Sequence, residues 1–165
     1  MEEARQHSAL EELRAGNARF LASEPDLPEA HRPQVAVLTC ADARLDPYRI
    51  FDAKPGQLFI VRNAGNIADE LAMASLRFAR SLGVEEVVVL GHSDCGAVQA
   101  ALNGVDGFDP ITTPIQTHLS GTSQDLTEAA AAHAQATAGR LRERLGVPVQ
   151  AAFYRVEEGS VQWLD

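Results

Sequence analysis

The chain has 165 residues, 45% hydrophobic and 22% charged, the length and balance of one soluble globular domain with a sizeable core. A formal net charge of −9 and a pI near 5.0 leave no basic stripe for a nucleic-acid partner. No apolar run approaches membrane-spanning length and no apolar signal core follows Met1-Glu2-Glu3-Ala4-Arg5, so no membrane contact is expected and a cytoplasmic location is.

Taken in chain order, residues from about Glu3 to Ala22 set Ala9, Leu10, Leu13, Ala18, Phe20 and Leu21 among charges, an amphipathic helix with a narrow apolar face. Ser23 to Pro33 is a proline-punctuated loop, and residues 1–33 together form an N-terminal helical arm. The first strand is Val35 to Cys40. Asp46-Pro47 reads as an N-cap with proline at the first helical position, opening a short helix. Lys54-Pro55-Gly56 turns the chain into a second strand, Gln57 to Arg62. Asn63-Ala64-Gly65-Asn66 is a tight loop whose backbone can approach whatever lies at the strand ends. A helix over Ile67 to Leu82 stops at Gly83. Glu86 to Leu90 is the third strand, and its Val87-Val88-Val89-Leu90 core predicts burial on both faces, as in a parallel sheet.

Gly96 to Leu102 has helical composition, with Asp94 expected as its N-cap. Asn103 to Gln124, rich in Gly, Pro, Thr and Ser, predicts only short helical pieces. Leu126 to Leu145 is a long helix ended by Gly146, and Pro148 to Tyr154 is the fourth strand. Glu158-Gly159 then turns into Val161 to Leu164, an edge strand antiparallel to the fourth. Trp163, Phe59, Phe78 and Phe153 are expected in the core. With no repeat and no linker, residues 1–165 read as a single domain. The fold class is α/β: a mainly parallel four-stranded sheet with right-handed crossovers, plus a short antiparallel edge strand, flanked by helices. No glycine-rich fingerprint or phosphate loop supports a nucleotide site.

Chemistry concentrates at strand ends, where open α/β sheets place their sites. Gly91-His92-Ser93-Asp94-Cys95-Gly96 breaks from the third strand and presents an imidazole and a thiol that can converge on one tetrahedral metal. The only other cysteine, Cys40, ends the first strand. Small buried hydrophobes are the usual fate of such cysteines. If the two strands are neighbours, however, Cys40, His92 and Cys95 meet above one sheet edge as two thiolates and an imidazole with an open fourth position, the pattern of a catalytic zinc. Two cysteines without a Cys-x-x-Cys pair weaken a thiol-redox reading.

Cys40-Ala41-Asp42-Ala43-Arg44, then Arg62-Asn63-Ala64-Gly65-Asn66, then His92-Ser93-Asp94-Cys95-Gly96, in that order and at similar spacing, resemble the signature segments of the β-class carbonic anhydrases. The resemblance runs from about Val35 to Val161. It implies one zinc per subunit held by Cys40, His92 and Cys95, with Asp42 and Arg44 as a catalytic dyad. It also implies reversible hydration of carbon dioxide to bicarbonate by zinc-bound hydroxide. A zinc with two thiolates and one imidazole carries no net charge, so it needs help to make hydroxide near neutral pH. Asp42 is placed to accept a hydrogen bond from the zinc-bound water, and Arg44 to hold that carboxylate ionised by a bidentate pair. In some members of the family the aspartate instead moves onto zinc, so Asp42 is also a possible fourth ligand in a closed state. The family commonly has Ser where Ala43 stands, so one hydroxyl near the dyad is missing.

A homodimer or higher even oligomer is implied, with the N-terminal helix packed on a partner subunit; the competing possibility is a helix that caps its own sheet. Alternative functions are a same-fold zinc hydrolase acting on carbonyl sulfide or carbon disulfide, and a non-enzymatic zinc-stabilised interaction protein. His7, His31, His118 and His133 could each shuttle protons, and nothing in the sequence selects one.

Overall fold

The computed structural model describes residues 8–28, 30–121 and 123–164. Eleven elements follow in order: α1 (Ala9–Ala22), β1 (Val35–Cys40), α2 (Pro47–Ile50), β2 (Leu58–Asn63), α3 (Glu70–Ser81), β3 (Glu86–His92), α4 (Gly96–Leu102), α5 (Asp109–Leu119), α6 (Leu126–Leu145), β4 (Val149–Arg155) and β5 (Ser160–Leu164). The strands form one sheet in the order β2-β1-β3-β4-β5, parallel throughout except for β5. The expected α/β class, the four parallel strands and the antiparallel edge are all present.

Strand alternation divides the core. Ala36, Leu38, Val87, Val89 and Ala151 face one side, where α3 contributes Met73 and Leu76 and α6 contributes Ala138 and Leu141. Val37, Val88, Leu90 and Ala152 face the other, where Ile50 of α2 and the following Phe51 pack against them. A groove of about 580 Å³ lies on that second face at the N-terminal ends of the strands, lined by Val35, Leu58, Val88 and Trp163 among others. The alanines of α6 let it approach β3 closely at Gly91. A Cβ there would stand 2.9 Å from Ala134 Cβ and 3.2 Å from the Ala130 carbonyl oxygen.

Several expectations are corrected. The 103–124 region holds one helix of 11 residues, α5, not short pieces. Pro114 sits inside it, at the cost of one backbone hydrogen bond. Burial of Thr112, Ile115 and Leu119 along one face offsets that loss. The helix expected from Ile67 begins at Glu70 instead. The Asn63 side chain brackets Ile67 through both its amide and its carbonyl, at 2.8 Å each, and Asp69 then caps the helix. Of the four aromatics assigned to the core only Phe153 is fully buried; Phe78 is 59% and Trp163 54% exposed, on an outer helix face and an edge strand. Phe59 is half-buried between His31 and Phe78.

α1 starts with a capping box in which Ser8 and Glu11 satisfy each other's amides. It buries none of its residues, and Leu10, Leu13, Phe20 and Leu21 stand exposed. The helix therefore does not cap its own sheet. Its predicted first turns, Glu3 to His7, lie outside the described residues.

Candidate metal centre

β1 and β3 are adjacent and parallel, with Thr39 paired to Leu90 and its hydroxyl donating to the Leu90 carbonyl at 2.9 Å. That register brings Cys40, at the end of β1, beside His92, at the end of β3, and the turn after β3 returns Cys95 to the same point. Ligand atoms of Cys40, His92 and Cys95 all lie within 4.8 Å of one another, and all three residues are buried. They form the one such group of metal-ligating side chains among the described residues.

The donor set suits zinc. His92 Nδ1 lies 2.8 Å from the Ser93 carbonyl oxygen, which can only accept, so the proton is on Nδ1. Nε2 is then bare, buried and without a hydrogen-bond partner, as a metal-binding imidazole nitrogen must be. Two sulfurs side by side supply the soft ligands. The Cys95 hydrogen bond pulls the Cys40 thiol down to about 4 against the effect of burial, with His92 and the Gly65 and Asp42 amides adding to the pull. The same hydrogen bond, then burial, push the Cys95 thiol up, while the Ala97 and Val98 amides oppose this weakly. Two adjacent buried thiolates repel one another, so full ionisation of the pair is favoured by a cation among the sulfurs.

Asp42 lies just beyond Cys40 and turns its carboxylate to Arg44. Arg44 donates from Nε to Oδ1 at 3.0 Å and from its terminal nitrogen to Oδ2 at 2.8 Å, and its backbone amide adds a third bond to Oδ1 at 2.9 Å. The Arg44 guanidinium holds the Asp42 carboxyl down at about 2, against partial burial. It also reaches the Asp94 carbonyl at 3.2 Å and the Asp94 carboxylate at 3.9 Å. Asp94 is therefore not the expected N-cap of α4. Cys95 takes that position without a side-chain cap bond, and Asp94 adopts φ 53. The turn that aims the sulfur inward leaves the carboxylate outside with Arg44.

Two supports escaped the sequence reading. Arg62 donates to the Cys40 and Asp42 carbonyls at 3.0 and 2.6 Å, fixing the backbone between ligand and carboxylate. Ser93 accepts from the Val156 amide and donates to Glu157, tying the ligand turn to the end of β4. The Gly65 amide donates to Cys40 Sγ at 3.3 Å, which realises the expected approach of the 63–66 loop. A second cavity, about 370 Å³, opens beside Arg44 between Asp46, Arg49, Ile50 and Tyr154.

The family model for carbonic anhydrase matches residues 35–152. A carbonic anhydrase of Mycolicibacterium smegmatis is 38% identical over 111 residues, 60% of this chain and 54% of that enzyme. The chain spans about half the length of the curated relatives it matches. The β-carbonic anhydrase CafA of Aspergillus fumigatus superposes with a TM-score of 0.78 at 27% identity, covering 96% of this chain and 91% of that one. A structure described as one of two tetrameric β-carbonic anhydrases from Sordaria macrospora superposes at 0.80 with 23% identity, over 96% and 98% of the two chains, a likeness of fold.

Proposed function

Because this chain belongs to the β-carbonic anhydrase family, we propose that it hydrates carbon dioxide reversibly to bicarbonate at a zinc held by Cys40, His92 and Cys95. The observation that carries this reading is the buried Cys-His-Cys group with a bare, unpartnered His92 Nε2. Zinc bound there would supply a Lewis acid that makes water acidic enough to ionise near neutral pH. The chain's own residues do the rest. Asp42, kept ionised by Arg44, accepts a hydrogen bond from the attacking water and turns its lone pair toward the carbon. Arg62 and Arg44 hold the Asp42 backbone and carboxylate so that this acceptor does not swing. Both carboxylate oxygens of Asp42 lie on Arg44, which supports an open site over one in which Asp42 is a fourth ligand.

Zinc content and stopped-flow carbon dioxide hydration, over about pH 6.5 to 9, test the proposal. The expected result is one zinc per chain and activity that rises with pH. Stoichiometric zinc with no hydration, but turnover of carbonyl sulfide or carbon disulfide, would give the same centre a different substrate. A chain that retains no zinc would end the reading altogether.

We also propose that two chains pair, with α1 of each lying on the other. α1 has an apolar face that its own chain leaves uncovered, and the sheet offers a half-covered face with a groove of about 580 Å³. Removal of residues 1–22 is expected to convert the dimer to monomer in sedimentation velocity. A truncated chain that still sediments as a dimer would put the interface elsewhere. Two cysteines that serve as ligands, with no disulfide between them, suit a reducing compartment such as the cytoplasm.

A further inference from the structure

One buried chain of hydrogen bonds ends against the metal centre without belonging to its ligand set. His133, on α6, is fully buried, and its Nε2 lies 2.7 Å from the Gly65 carbonyl oxygen. Its Nδ1 lies 3.0 Å from Nδ1 of His118, a half-buried residue of α5. Across the Gly65 α-carbon, the amide of the same residue donates to Cys40 Sγ at 3.3 Å.

The acceptors fix the protons. A carbonyl oxygen cannot donate, so His133 carries its hydrogen on Nε2. Burial, opposed by the Gly65 bond, presses the His133 pKa down to about 4, so the ring is neutral and Nδ1 is bare. His118 must then donate from its own Nδ1. A proton that reached His133 would meet only a carbonyl, so the chain is not a wire into the site. What it transmits is orientation.

We propose that His133 is a positioning residue for the metal centre: it anchors the Gly65 carbonyl so that the Gly65 amide stays aimed at the Cys40 sulfur. Gly65 needs such an anchor. At φ +80 in a glycine the backbone is unusually pliable, and no side chain can stiffen it. A Cβ there would fall 2.9 Å from Ile115 Cδ1 and 3.0 Å from Ala97 Cβ. An amide held on a thiolate draws charge from the sulfur, which weakens its donation to a metal and leaves the metal more electrophilic. A centre with two thiolates and one imidazole gains from this, because its ligands already cancel the charge of the ion.

The inference rests on the zinc reading above, and the test separates the two. Full-length wild type, His133→Leu and His133→Gln would each be loaded with zinc for hydration assays and with cobalt(II) for absorption spectra. The glutamine amide nitrogen falls near the place of Nε2 and can keep the bond to Gly65; leucine cannot. His133→Leu is expected to lower hydration about 10–100-fold and to move the thiolate-to-cobalt charge-transfer band to lower energy, with His133→Gln restoring both. A folded leucine variant with an unmoved band overturns the proposal, as does a glutamine variant that shifts as far as leucine. Should His133→Leu not fold, His133→Asn, polar but too short to reach Gly65, is expected to shift the band in the same way, and an unmoved band there overturns the proposal equally. Wild type that takes up neither metal sinks the metal-site reading itself.

Discussion

Asp42→Asn leaves the chain folded and able to take up zinc, while carbon dioxide hydration falls by roughly 10²–10⁴-fold. The substitution preserves shape but replaces an anionic acceptor with a neutral amide whose NH2 faces the guanidinium that held the carboxylate. The loss is expected at every pH from about 6.5 to 9, the range in which zinc-bound water titrates. The Asp42 carboxyl lies at about 2, below its usual 3.8, and is ionised across that whole interval. The sign of the linkage follows. A depressed carboxyl adds stability above its ordinary pKa, so whatever the Arg44 pair contributes to folding is fully present at pH 6.5 and lost only as pH falls through about 2. Turnover equal to wild type at all pH values would remove the carboxylate from the mechanism.

Cys40→Ser and His92→Ala are expected to lose zinc, with affinity down by more than the roughly hundredfold that loss of a supporting hydrogen bond costs. Each leaves two ligands of three. A serine hydroxyl does not ionise near neutral pH to replace a thiolate, and an alanine at position 92 removes the one nitrogen donor of the group. Circular dichroism checks that the chain has folded, and metal analysis after desalting reads the outcome. Stoichiometric zinc in either folded variant would end the ligand assignment. Activity is expected to vanish along with the metal in both, in contrast to Asp42→Asn, where metal stays and turnover goes. That contrast separates holding the ion from using it.

What could be read in the sequence was what neighbouring residues decide between themselves. Val87 to Leu90 announces a buried strand because three of its four apolar residues are β-branched and Gly91 breaks the chain directly after them. The end of such a strand is where His92 and Cys95 fall. Asp42 and Arg44, two residues apart, can meet through a local turn, and they do. The sequence was least informative where a distant contact overrides a local preference. Pro114 and its polar neighbours argue against a continuous α5, yet Ile115 and Leu119 pack into a buried apolar cluster with Val98, Ala101 and Ala129. Asp94 is a good cap by composition, but the position went to Cys95 because the sulfur had to face Cys40. His133 and Gly65 are 68 residues apart, and no periodicity in either segment points to the other.

The position of β1 in the sheet also sets when the centre can come into being. β1 lies between β2 and β3, and its pairing with β3 joins Thr39 to Leu90 across 51 residues of chain. Such a long-range closure carries a loop entropy that a local hairpin or helix avoids, and it forms slowly compared with either. Cys40 and the His92–Cys95 turn stand on opposite sides of that closure. Until β1 and β3 have paired, the Cys40 thiol and the His92–Cys95 turn stand apart, so the complete three-residue group exists only once that closure is made.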